Sequence, residues 1–443
     1  MSRQPFVTYD DALDYLFKST DYEKMSTYRY GVSTFDLSRM EELAQRLGSP
    51  HKGLSFCHIA GTKGKGSVAY MLAGILQEAG LKVGLFTSPH LVALEERISI
   101  NNDAIPKNAL RDLLNDAYQT LEEMKAKWGE QAPTFFEIIT ALALLYFTRE
   151  KVDMAVLEVG LGGRLDSTNI VTPLVSSITP ISLDHTQLLG KTVEKIAYEK
   201  AGIIKKDVPV ISAPQEPEAF KIIADMAKKL DAPFYLVGRE IEIIPQDSHF
   251  SIKTWRSEYN DLRFQLLGRH QRINAAVAAG MLEVLQEKGA LKIGEGVVKR
   301  AFEQLQIPGR IEVVSRRPTI ILDSAHNVAS VEVLVDALKE NLKWERLILC
   351  FAAAKDKDIP GMLRLLIPLT NEAVFTTTAN PRSASTQDLA EAASAIKPLS
   401  ITQEADPLKA FELARASASS EDLILITGSF YLAGKIKEAL ESA

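Results

Sequence analysis

A short apolar run that ends in a loop of alternating glycine and lysine constrains this chain more than any other feature: Leu54-Ser-Phe-Cys-His-Ile-Ala-Gly-Thr-Lys-Gly-Lys-Gly-Ser67. Behind it, residues 67–80 place Val68, Leu72, Ile75, Leu76 and Ala79 at helical spacing, and Gly80 suits a C-cap. Strand, glycine loop and helix form the geometry that holds phosphate. Backbone N–H groups free of Cβ atoms surround the anion, the helix N-terminus adds partial positive charge, and a lysine reaches the outer oxygens. The strict pattern G-x-x-x-x-G-K-[ST] fails twice, because Ile59 replaces its first glycine and Gly66 its hydroxyl. A plain turn between strand and helix is the alternative, yet two lysines interleaved with three glycines exceed what a turn needs. Ser67 supplies the hydroxyl one residue late, or the hydroxyl comes from elsewhere.

Around that loop, strands and helices alternate. The pattern predicts strands over 82–88, 152–158 and 174–178, amphipathic helices over 107–127 and 135–149, and helices within 8–47 around an irregular Tyr28-Arg-Tyr-Gly-Val-Ser33. A small hairpin is expected over 250–267 and an alanine-rich helix from His270. Leu305-Gln-Ile-Pro-Gly-Arg310 stops a helix at a Pro-Gly pair, and beyond it strands are predicted at 319–323, 347–352, 373–378 and 422–427. The fold class is therefore α/β: an N-terminal P-loop ATPase domain with a mostly parallel sheet over 1–306, and a smaller Rossmann-like domain over 307–443. At 443 residues, two cores are the natural outcome. In such sheets ligands bind beyond the carboxyl ends of the strands, where Gly61, Ser88 and Glu158 all fall.

Charge narrows the partners. A net charge of −6 argues against an extended nucleic-acid footprint. With no leader pattern and no apolar run long enough to span a bilayer, the expected location is the cytoplasm. Cys57 and Cys350 share no ligand spacing and read as inert residues of buried strands.

Several polar residues stand where a core would not place them. Glu158 closes an apolar run, so it either holds Mg²⁺ against the β- and γ-phosphates or is a solvated strand end. His185 is by default a hydrogen-bonded structural histidine, since Mg²⁺ prefers oxygen. Lys200 shares a helix face with Val193, Ile196, Ala197, Ala201 and Ile204, and either snorkels or carries a lowered pKa. Asp323 and His326 cap a helix or reach a ligand, and Arg310 is a surface charge or a phosphate contact.

In order, Gly61-Thr-Lys-Gly-Lys-Gly-Ser67, Thr87-Ser-Pro-His90, Glu158-Val-Gly-Leu-Gly-Gly163, Leu183-Asp-His185, Glu199-Lys-Ala-Gly202, Gly268-Arg-His-Gln271 with Asn274, and Asp323-Ser-Ala-His-Asn327 span nearly the whole chain. This set resembles the folylpolyglutamate synthase / dihydrofolate synthase family, within the Mur-type ATP-dependent amide ligases. The resemblance implies ligation of L-glutamate to the carboxylate of tetrahydrofolate, its polyglutamate forms or dihydropteroate, through an acyl phosphate. ATP and Mg²⁺ are the implied cofactors. It further implies that Gly61, Thr62, Lys63, Gly64, Lys65, Gly66 and Ser67 hold ATP phosphates, that Ser88 and Glu158 bind one Mg²⁺, and that Glu158 and His185 bind a second. Lys200 matches the carbamylated position. Asn274, Arg310, Asp323 and His326 would meet nucleotide, or glutamate close to it. Pro89, Arg97 and Phe136, with Ser429 and Tyr431 of Gly428-Ser-Phe-Tyr-Leu-Ala-Gly434, are candidates for folate or glutamate, although Phe135 and Phe136 equally suit a core. Lys63 replaces the usual asparagine and Ser324 the usual glycine. The expected partners are small molecules, with no nucleic acid and no membrane, and the chain is expected to act as a monomer. Two other readings remain: a Mur-type ligase acting on a nucleotide-linked peptide, for which the stretch before Gly61 leaves too little room for a sugar-binding domain, and an ATP-driven switch without ligation.

Overall fold

The computed structural model describes residues 5–20, 37–246, 249–264, 266–294, 296–378 and 382–441. The segment Tyr28–Ser33 of the sequence reading lies outside them. Two compact units emerge. The first takes the described residues up to His90, Leu94–Phe264 and Arg272–Leu305; the second takes Leu91–Ala93, those of Gln265–Gln271, and those from Gln306 onward.

In the first unit eight strands form one sheet: β1 (Phe56–Ala60), β2 (Val83–Phe86), β3 (Ile98–Ile100), β4 (Asp103–Ala104), β5 (Met154–Glu158), β6 (Val175–Ile178), β7 (Val210–Ser212) and β8 (Phe234–Leu236). Their order is β4-β3-β2-β5-β1-β6-β7-β8, parallel from β2 to β8 with antiparallel β3 and β4 at one edge. β1, β2, β5 and β6 are buried along their whole length, as strands covered on both faces must be. The order matters for function, because β2, β5, β1 and β6 are neighbours and their carboxyl ends lie side by side. β9 (Glu242–Pro245), β10 (Phe250–Lys253) and β11 (Glu258–Leu262) make a separate antiparallel sheet. The expected hairpin is thus two strands of three; β9 ends on a proline that masks it in sequence.

The helix Phe135–Arg149 departs from expectation. It is buried nearly all round, not amphipathic, because it packs on β2 and is covered by the helices Tyr9–Phe17, Leu37–Arg46 and Lys107–Trp128. Its start is fixed twice. Thr134 and Glu137 form a capping box, and Glu137 also pairs with buried Arg39 at 2.8 Å.

The second unit holds β12 (Glu312–Arg316), β13 (Thr319–Leu322), β14 (Leu347–Phe351), β15 (Glu372–Phe375), β16 (Ser400–Gln403) and β17 (Leu423–Thr427). The order β12-β13-β17-β14-β15-β16 is parallel except for the β12–β13 hairpin at its edge. Apolar helices cover both faces, giving two clusters around Leu349 and Ile424. Cys57 and Cys350 are free and fully buried, and burial pushes the Cys350 thiol up to about 12. Among the described residues no helix is long and apolar enough to cross a membrane.

Candidate active site

β1 runs into the glycine loop, and the backbone there leaves no room for side chains. Gly61 has φ +149°, and a Cβ on it would lie 1.8 Å from Thr179 Oγ1. Gly64, at φ +85°, is the N-cap of the helix Lys65–Glu78, and its missing Cβ would lie 2.3 Å from Asn274 Oδ1. The loop is braced from β6: Thr62 and Lys63 N–H groups donate to Pro180 O at 3.1 and 3.2 Å, and Thr62 Oγ1 donates to Ser182 O at 3.2 Å. The helix begins two residues earlier than the spacing suggested. Lys65, Gly66 and Ser67 are therefore its first three residues, whose N–H groups have no intrahelical acceptor. The first turn carries no acidic residue of its own; the carboxylate that stands against it is Glu158, from the end of β5. Gly80, in the left-handed region, follows the C-cap Ala79.

The neighbouring strand ends bring an acid and a hydroxyl to this point. Glu158, the last residue of β5, is buried, and its Oε2 accepts the Ser88 N–H at 3.1 Å. The same oxygen lies 3.4 Å from where a Cβ on Gly66 would stand. Ser88 is half-buried and joined to exposed Pro89 by a cis bond. His185 sits beyond β6 in the left-handed region with half its side chain exposed; its Nε2 is 4.0 Å from Asp184 Oδ1.

Lys200 is buried in the last turn of the helix Val193–Ala201, with Nζ donating to Gly61 O at 2.6 Å. Burial, aided by the nearby Lys65 charge, brings its pKa down from 10.5 to about 7, against the opposing pull of Asp184 and Asp166. Burial thus shifts the amine toward its unprotonated form, the direction of the low-pKa alternative.

Sequence reasoning missed the residues that hold the loop after Glu158. Asp166 is fully buried. Its Oδ2 accepts Leu161 N–H at 2.9 Å, and its Oδ1 accepts the Thr168 N–H at 3.0 Å and hydroxyl at 2.5 Å. Thr168 Oγ1 in turn lies 2.8 Å from His58 Nε2 on β1. Burial, with Lys205 nearby, pushes His58 down to about 3, so the ring is neutral. Since Thr168 gives its proton to Asp166, His58 donates from Nε2. Arg164 pairs with Glu199 at 2.9 Å beside Lys200. The polar residues among the glycines of Gly160-Leu-Gly-Gly-Arg-Leu-Asp-Ser-Thr-Asn169 were the available signal.

The acceptor candidates divide. Phe135 is core, 1 % exposed, with the buried Arg97 guanidinium 5.3 Å over its ring. Phe136 is half-buried, tilted against Phe86 at 5.8 Å, and its ring tip occupies the space a Cβ on Gly160 would need, 2.4 Å away. Arg97 Nε donates to His90 Nδ1 at 2.8 Å.

In the second unit, Asp323 follows β13 and is buried, which raises its pKa; its oxygens accept the Ile311 N–H at 2.9 Å and the Ala325 N–H at 2.8 Å. The Phe430 ring centre lies 5.3 Å from the Arg310 guanidinium and 5.4 Å from the His326 ring centre; Arg310 Nη1 also donates to Ser324 Oγ at 3.2 Å, and His326 Nδ1 lies 2.9 Å from Ser324 O. Ser429 Oγ accepts the Tyr431 N–H at 3.2 Å, and Tyr431 is 46 % exposed.

The chain matches two domain families: the Mur ligase middle domain over residues 59–282 and the Mur ligase glutamate ligase domain over residues 309–430. It is 37% identical over 444 residues to the dihydrofolate synthase/folylpolyglutamate synthase of Bacillus subtilis, covering 98% of this chain and 100% of that protein. The protein of that name from Escherichia coli is 33% identical, over 92% of this chain and 91% of its own. Among solved structures, Mycobacterium tuberculosis folylpolyglutamate synthase complexed with ADP superposes with a TM-score of 0.88 at 28% identity, covering 98% of both chains. E. coli FolC in complex with DHPP and ADP gives 0.86 at 30% identity, covering 100% of this chain and 99% of that one.

Proposed function

We propose a mechanism from one premise: this chain belongs to the dihydrofolate synthase/folylpolyglutamate synthase family of Mur-type ligases. It is an ATP-dependent ligase that joins L-glutamate to a folate carboxylate, with ATP and Mg²⁺ as cofactors. ATP binding is assigned to residues 1–306, with 307–443 as the second Mur-type domain. In this reading the protein works as a monomer in the cytoplasm and accepts both dihydropteroate and reduced folates, as the double names of its B. subtilis and E. coli relatives suggest.

One observation supports the mechanism above the others. A lysine-bearing helix start, a carboxylate and a hydroxyl residue stand at the adjacent ends of β1, β5 and β2, with Glu158 Oε2 3.1 Å from Ser88 N. Lys65 and the N–H groups of the first helical turn hold the outer phosphates. Glu158 and Ser88 offer the oxygen donors that suit Mg²⁺, which takes one or two carboxylates and completes its shell with phosphate and water. Ser88 and Glu158 would hold one Mg²⁺ and Glu158 and His185 a second, and when bound these ions would neutralise charge on the phosphoryl group being transferred. Asn274, Arg310 and His326 are assigned to nucleotide, with Asp323 as the acid that holds the turn after β13 through the Ile311 and Ala325 N–H groups. Pro89, Arg97 and Phe136 are assigned to the acceptor, and Ser429 and Tyr431 to glutamate. Lys200 is assigned as a carbamylated lysine.

A carboxylate is a poor electrophile, so activation comes first. An oxygen of the acceptor carboxylate attacks the γ-phosphorus in line, the bond to the ADP oxygen breaks, and an acyl phosphate forms. The glutamate amine then attacks the acyl carbon. The tetrahedral adduct collapses with loss of phosphate, and the amine proton passes to solvent. With ¹⁸O in the acceptor carboxylate, label is expected in the released phosphate; unlabelled phosphate alongside amide product overturns the acyl-phosphate route. Nucleotide binding without glutamate-dependent phosphate release would instead favour a switch.

A further inference from the structure

A helix normally leaves its last carbonyls to water. At the helix Val193–Ala201 they are met by the loop that follows β5. Arg164 N donates to Glu199 O at 2.7 Å, and Asn169 Nδ2 donates to Gly202 O at 3.1 Å while also holding Arg164 O at 3.0 Å. Lys205 Nζ closes the ring by donating to Asn169 O at 2.9 Å. The Arg164 guanidinium grips the Glu199 carboxylate, with Nη2 2.9 Å from Oε1 and Nε 3.2 Å from Oε2, and lies 5.7 Å from the Tyr198 ring centre.

Two glycines permit this approach. A Cβ on Gly163 would lie 2.8 Å from Glu199 O and 3.0 Å from Lys200 O, and a Cβ on Gly202 would lie 2.3 Å from Arg164 Cβ. The far end of the loop is tied to β1 through Asp166, Thr168 and His58. The turn that carries Lys200 is therefore clasped from one side, while Gly61 O takes its amine on the other.

We propose that Arg164 is a positioning residue: by gripping Glu199 it holds the last turn of the helix against the loop, keeps water from the Lys200 amine, and so governs uptake of CO₂ by that amine. This rests on the reading of Lys200 as a carbamylated lysine. In the step itself the unprotonated amine attacks the carbon of CO₂. An N–C bond forms, one C=O electron pair moves to oxygen, and the amine proton leaves to solvent, giving a carbamate anion. Gly61 O takes the amine directly at 2.6 Å, and the charges that act on it are Lys65 at the start of the phosphate-loop helix, Asp184 beyond β6 and Asp166 in the clasping loop. The first favours the neutral amine and the two acids favour the cation, so exclusion of water decides between them. Loosening the clasp restores water and the unreactive cation. The Arg164 side chain is 35% exposed, so it can be changed without opening the core.

The test uses the full-length protein with ¹³C-bicarbonate, reading the carbamate signal by NMR from about pH 6 to about pH 9. In Arg164→Gln the label at neutral pH is expected to fall roughly tenfold, with the half-labelling pH raised by about one unit. The charge-reversed pair Arg164→Glu/Glu199→Arg is expected to recover most of it. Glu199→Gln repeats the measurement should Arg164→Gln fail to fold. A labelling curve that superimposes on that of the parent overturns the proposal, as does a fall in melting temperature with the curve unmoved. A parent protein that takes up no label at any pH removes the carbamate reading of Lys200 itself, which separates the two failures.

Discussion

Each unit places a buried acid at the end of a buried strand, and the two acids do different things. Asp323, after β13, spends both oxygens on backbone: Ile311 N–H on one and Ala325 N–H on the other close the turn around it. Glu158, ending β5, takes the Ser88 N–H on one oxygen and faces a position that Gly66 keeps clear of side chain. An acid that closes its own turn braces a fold. One that looks across a glycine toward a helix start is placed for chemistry. Position at a strand tip therefore marks a candidate, and the partners of its oxygens decide the job.

The contrast breaks most readily at the first unit. Lys65→Ala and Glu158→Ala are each expected to lower kcat by about 10³-fold or more with little change in melting temperature, measured by glutamate-dependent phosphate release. If Glu158→Ala instead melts early and keeps its turnover, it is a brace like Asp323 and the distinction falls. Next in size is Lys200. Its pKa is lowered on folding from 10.5 to about 7, so the unfolded chain binds more protons across that window and stability drains away as pH falls through it. In CO₂-free buffer, where the amine is not carbamylated, Lys200→Met removes that dependence, so its stability relative to the parent is expected to improve steadily as pH is lowered from 10.5 to about 7, read by denaturant unfolding at several pH values. A constant difference between the two proteins would show that water reaches the amine.

The second unit is expected to answer in stability before rate. Asp323→Ala leaves two buried N–H groups without acceptors and is expected to cost about 1–3 kcal/mol in denaturant unfolding. Loss of turnover with unchanged stability would move Asp323 to the side of Glu158. The smallest effect is expected from Phe430→Ala, which removes the ring near both Arg310 and His326. Its loss removes one contact from each side chain, while both keep their contacts to Ser324, and is expected to raise the KM for ATP about threefold to tenfold, leaving kcat nearly untouched. An unchanged KM would detach that trio from nucleotide.

What sequence revealed follows from where the information lies. The phosphate loop was legible because its glycines and lysines are contiguous, Glu158 because an apolar run ends on it, and Lys200 because it interrupts an apolar stripe. The Arg164–Glu199 and His58–Thr168 contacts were not, because their partners stand 35 and 110 residues apart and meet only once the sheet order is set. Helix Phe135–Arg149 misled for a related reason: its few polar residues suggested a wet face that three neighbouring helices cover. The start at Lys65 was hidden by Gly64 and Gly66, which carry no propensity for a helix even where one begins.

The two cysteines have a practical consequence. Both thiols lie in the middle of buried strands with their ionisation suppressed, so they give thiol-reactive dyes almost nothing to attack. A cysteine introduced at an exposed site will be the main point of attachment in an otherwise unaltered enzyme. Fluorophores can thus be placed one per unit, and their separation followed during turnover, without first stripping the native sulfurs.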